Sequence, residues 1–95
     1  MIEEIKKQTY ISSVISENIN LNIRMRKIFG SGFIGSYRDK RKGIYSDIYH
    51  VLNATVVFED KTSKYHFQIT GRQDAISEAI SKIENSLEIK LKELK

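Results

Sequence analysis

The residues best suited to chemistry lie close together. Residues 32–43, GFIGSYRDKRKG, place three glycines, two aromatic rings and four cations within twelve positions, with Asp39 as the one acid. Widening the window to Arg24–Lys42 brings in Arg24, Arg26 and Lys27, so that seven cations face a single aspartate. That stretch carries a balance of +6 in a chain whose net charge is +4, which leaves the remainder slightly acidic. A cationic strip of this kind is the electrostatic footprint of a polyanion-binding face, because each cation near a phosphate releases a condensed counterion. Tyr37 and Tyr45 flank the cations, and a base stacked on such a ring gains roughly 1–3 kcal/mol.

Other chemistries find less support. His50 and His66 each stand without a carboxylate or second histidine at ligand spacing, so neither a metal nor a cofactor is expected. A histidine pair with a cation would suffice for general acid–base cleavage of RNA. His50, however, falls on an expected helix and His66 on the polar side of an expected strand, so the chain reads as a binder and not as an enzyme. The absence of cysteine excludes disulfides and thiolate metal sites and is compatible with a reducing compartment. No apolar run reaches the roughly 18 residues of a membrane span, and MIEEIKKQTY lacks the layout of a signal peptide; a cytoplasmic protein is expected.

The elements that position these residues follow from hydrophobic spacing. A chain of 95 residues supports a single core and reads as one domain. From Asp74, apolar residues recur at Ile76, Ala79, Ile80, Ile83, Leu87, Leu91 and Leu94, the spacing of an amphipathic helix with Asp74 as N-cap. Ahead of it, TVVFEDKTSKYHFQIT alternates on both sides of a polar turn and predicts a β-hairpin. INLNIRMR alternates Ile19, Leu21, Ile23 and Met25 with polar residues and predicts a third strand. IYSDIYHVLNA sets Ile44, Ile48, Val51 and Leu52 on one helical face, with Tyr45 and Tyr49 on a neighbouring stripe. TYISSVI is rich in β-formers and would add a fourth, edge strand, with a tight turn at SEN, whereas MIEEIKKQ has helical character. The expected fold class is α+β: a small antiparallel three-stranded sheet with helices packed on one face.

With the elements in that order, GFIGSYRDKRKGIYSDIYHVLNATVVFED resembles the centre of a type I KH domain, a module that binds single-stranded nucleic acid. Gly32, Phe33, Ile34 and Gly35 look like the lead-in to the family's G-x-x-G loop, Asn53–Val56 like the exit from its second helix, and ITGRQDAISEAISKIENSL like its closing strand and helix. The resemblance spans about residues 19–88, leaving 1–18 as an N-terminal extension and 89–95 as a helical tail. The chain departs from the pattern in two places. Arg38 stands at the second loop glycine, giving GSYR, and about four extra residues, close to one helical turn, precede Ala54. A loop running on to Gly43 accommodates them, since glycine inside a helix costs about 1 kcal/mol relative to alanine.

The resemblance implies a nucleic-acid site, RNA preferred over single-stranded DNA, built from Gly35, Ser36, Tyr37, Arg38, Lys40, Arg41, Lys42, Gly43 and Tyr45. Ile44 and Ile48 would form an apolar floor, with Lys61 and Lys64 on the far wall. The blander readings of the same residues are packing for Tyr45, Tyr49 and Ile48, and plain solvation for Lys61 and Lys64. The alternative function is a KH-like module that has lost RNA recognition and acts through protein contacts as a small regulator. In that case Leu87, Leu91 and Leu94 would form a seam for a homodimer or a partner helix; otherwise they belong to a frayed tail.

Overall fold

The computed structural model describes residues 4–12, 21–61 and 64–94. The elements run β1 (Lys6–Ser12), α1 (Leu21–Phe29), a short 3-10 turn (Gly30–Gly32), β2 (Phe33–Asp39), β3 (Ile44–Val51), β4 (Ala54–Lys61), β5 (Lys64–Gly71), α2 (Gln73–Leu87) and β6 (Leu91–Glu93). All strands join one six-stranded sheet in the order β2-β3-β4-β5-β1-β6, and every neighbouring pair is antiparallel. The fold is α+β, but the sheet is twice the expected width. The N-terminal strand is not at an edge: β1 lies between β5 and β6. The turn expected at SEN, Ile19 and Asn20, residues 62–63 of the turn expected between β4 and β5, and Lys95 lie outside the described residues.

The core forms on one face of this sheet. Val56, Phe58, Phe67 and Ile69 have no exposed surface, as the alternation along the hairpin predicts. Phe58 packs against Phe67 with ring centroids 5.0 Å apart and stacks on Tyr65 at 5.5 Å, contacts worth roughly 0.5–1.5 kcal/mol each beyond area burial. Helix α2 lays Ala75, Ile76, Ala79, Ile83 and Leu87 on the same face, one stripe at helical spacing. Its N-cap is Arg72, two residues before Asp74, and the cap makes no side-chain hydrogen bond.

Three segments adopt structures other than those their spacing predicts. Residues 21–29 form a helix and not a strand, burying Leu21, Met25 and Phe29 at intervals of four, while Ile23 is 64 % exposed. The alternation within INLNIRMR fits both periods over so short a window; Phe29, one helical step further, decides for the helix. Residues 44–51 form a strand and not a helix, with Tyr49 and Val51 in the core. Its β-branched and aromatic residues suit a pleated surface, and Tyr49 closes an edge-to-face contact with Phe33 across β2 at 5.5 Å. The C-terminal helix ends at Leu87 because Glu88 takes a left-handed conformation (φ 56°) and Ile89 turns back into the core. The Leu91 amide then donates to the Glu84 carboxylate (2.9 Å), and 91–93 pair with β1 as a strand instead of continuing as a helical tail.

Burial sets the ionisation of three tyrosines. Desolvation pushes the phenols of Tyr10, Tyr49 and Tyr65 above their ordinary value, assisted at Tyr10 by the charge of Glu93 and at Tyr65 by that of Asp60. Above about pH 10 the unfolded chain releases these protons while the folded chain retains them, so the folded state binds more protons there and stability falls as pH rises. Urea unfolding followed from about pH 9 to about pH 11 should show midpoints that drop steadily beyond pH 10; a constant midpoint would contradict this burial.

Candidate nucleic-acid interface

The basic segment is a hairpin. GSYR lies in β2, and the residues that the resemblance makes a long loop are the end of that strand and a tight turn over Lys40–Gly43. The lone acid organises the turn: the Asp39 carboxylate accepts the amides of Arg41 (3.0 Å) and Lys42 (3.3 Å), the Asx arrangement that substitutes for a backbone turn. Gly43 then supplies the positive φ of 65° that other residues adopt only with strain. Lys40, Arg41 and Lys42 are therefore displayed, all exposed, at the tip of the hairpin. Lys61 and Lys64 are backbone register partners at the same end of the sheet, with Lys61 also paired with Ile44.

Beside the hairpin, α1 crosses the sheet and leaves a groove of about 480 Å³ between them. The helix contributes Asn22, Ile23, Arg26 and Lys27, positions that share one side of a helix; the hairpin contributes Tyr37, Arg38, Tyr45 and Asp47. Arg38 sits opposite Tyr45 in register, its guanidinium carbon 5.6 Å from the ring centroid. Arg26 is held from two sides, its guanidinium 3.7 Å above the Phe33 ring and 3.5 Å from the Asp47 carboxylate. Hydrogen bonding to Tyr49, and then the charge of Asp47, strengthen its hold on the proton. At the other end of the groove the Asn22 amide donates to Asp60 at 2.8 Å. Three fixed or exposed cations, two tyrosines and one carboxylate thus surround a space of ligand size.

The structure brings Arg38 and Tyr45 together on the groove side of the hairpin, lets Tyr37 line the groove from the edge strand although its register partner is Ser46 on the other face, and places Lys40, Arg41, Lys42 and Gly43 at the adjoining tip. It does not bring Ile44 and Ile48 there: along β3 they alternate with Tyr45 and Asp47 and so belong to the opposite face of the sheet. Gly35 and Ser36 are ordinary strand residues opposite Ile48 and Asp47. The contribution of α1, Asn22, Ile23, Arg26 and Lys27, escapes a reading that takes 19–26 for a strand, although its cations are part of the basic strip. His50 and His66 share the outer face but lie on β3 and β5, four residues apart in register. Among the described residues no cluster of three or more histidines or acids suits a metal, and no helix is long and apolar enough to cross a membrane. Leu87 is fully buried in the core and Leu91 packs against it, with Leu94 half exposed beyond, so the three leucines do not form a helical seam.

No protein-family model, no curated protein and no solved structure matches this chain.

Two glycines of the segment have opposite sensitivities. A Cβ on Gly32 would lie 2.2 Å from the backbone oxygen of His50, whereas one on Gly35 meets nothing within 4 Å. Gly32→Ala should destabilise the fold by about 1–3 kcal/mol and Gly35→Ala should change it by less than about 0.5 kcal/mol in urea titrations. Equal effects would show that the backbone at Gly32 is not held against β3.

Proposed function

We propose that this chain binds single-stranded nucleic acid in the groove between α1 and the β2–β3 hairpin, with RNA as the first candidate. The observation that carries the proposal is the convergence of Arg26, Lys27 and Arg38 with Tyr37 and Tyr45 on one groove, next to a turn that displays Lys40, Arg41 and Lys42. Cations that track phosphates and rings that accept bases are the two parts such binding needs, and a single strand offers unstacked bases to both. The reading rests on this groove. The resemblance to KH domains supports it only through the shared class of ligand, since the helix at 21–29 and the strand at 44–51 do not follow the element order that the resemblance implies.

Fluorescence anisotropy with short labelled RNA and DNA of mixed sequence tests the proposal. Binding should weaken with salt at a log–log slope of about −0.7 per phosphate engaged, roughly −3 for four cations. Tyr45→Ala and Arg38→Gln should each weaken it at least about tenfold, and the triple change Lys40→Gln, Arg41→Gln, Lys42→Gln should flatten the slope. Absence of binding to either polymer at low salt would reject the proposal.

A further inference from the structure

The groove holds one residue that phosphate binding alone does not explain. Asp47 is its single acid among the described residues, and a carboxylate among cations repels the phosphates they attract. We propose that Asp47 reads the base held there and selects guanine; the inference rests on the nucleic-acid reading above and names the base for that site.

The geometry of the carboxylate supports the assignment. Asp47 lies on β3 with its side chain 18 % exposed, and Arg26 approaches its Oδ2 at 3.5 Å. The Tyr49 hydroxyl also points to Oδ2, at 3.5 Å. Both partners fall on the same oxygen, so among the described residues Oδ1 is left for a ligand. Asn22, opposite, is oriented by donating one amide N–H to Asp60, and its carbonyl oxygen is a second acceptor on the groove wall. Tyr45 stands two residues before Asp47 on the same face of the strand, about 7 Å away, so a purine stacked on its ring reaches the carboxylate. An ionised carboxylate only accepts hydrogen bonds. Guanine is the one common base whose Watson–Crick edge presents two adjacent donors, N1–H and the N2 amine; adenine and cytosine offer one amine beside an acceptor, and uracil one N–H between two acceptors. Arg26 and Tyr49 fix the acceptor before the ligand arrives, so little ordering is left to oppose binding.

The test uses labelled uridine-rich 8-mers that differ only in one central nucleotide: guanine, inosine, adenine or cytosine. On the wild-type chain the guanine oligomer should bind about tenfold more tightly than the adenine and cytosine oligomers, with inosine, which lacks the N2 amine, in between. Asp47→Asn should erase that ranking while keeping the salt-dependent binding common to all four, and circular dichroism verifies that the variant is folded. Salt-dependent binding with no ranking on the wild type overturns the guanine assignment and leaves the nucleic-acid reading standing. No binding by any oligomer overturns both. Because the inosine comparison is made on the unaltered protein, a misfolded variant does not blunt the test.

Discussion

The groove exists because the backbone at Gly32 comes against the carbonyl of His50, an approach that leaves no room for a side chain. That contact fixes the end of α1 over β3. From there the helix runs back across the sheet with Leu21, Met25 and Phe29 in the core, and its outward residues face the hairpin. Close packing allows few alternatives: a helix raised off the sheet by one methyl group would lose contact along several side chains at once. Arg26 then meets Phe33 and Asp47 as a result of where the apolar residues beneath it sit, so the electrostatics of the site follow from the packing of the core.

Much of this was legible in the sequence, and what was not had a physical cause. The charge strip, the β4–β5 hairpin and the apolar stripe of α2 follow from composition and spacing and survive in the structure, although α2 is capped at Arg72 and not at Asp74. The two central segments exchanged types because their apolar spacing satisfies both periods. Ile44, Ile48, Val51 and Leu52 draw a helical stripe, but Tyr45, Asp47, Tyr49 and Val51 are the set that faces the helices, and one of these is an acid that no hydrophobic pattern would include. Asp39 and Gly43 carry the turn signal, an Asx acceptor and a positive-φ glycine, whereas Gly32 and Gly35 ahead of them belong to a close helix–strand contact and to β2. The groove is formed by residues some twenty positions apart, so spacing along the chain could not reveal it.

Among the described residues the helices cover one face of the sheet only. They lie on the side of Val56, Phe58, Phe67 and Ile69, while Thr9, Gln68, Val57 and Ile48 form a cross-strand row on the other. Antiparallel sheets tolerate such an arrangement because every interior strand satisfies its own backbone groups and needs a dry neighbour on just one side. The half-burial of Ile48 and Val57 therefore comes from adjacent strands, which is why an isoleucine on β3 is no guide to a ligand pocket.

A single unpaired residue decides which side chains meet the groove. Phe33 lies opposite Tyr49 but Gly35 opposite Ile48, so β2 carries a bulge at Ile34, and such an insertion reverses the facing of everything that follows it. With the bulge, Arg38 stands across from Tyr45. In an unbulged strand Tyr37 would take that place and Arg38 would pass to the far face of the sheet. One codon thus sets the partner of Tyr45: the gain or loss of a single residue ahead of the hairpin would exchange a cation for a ring at that place in the sheet.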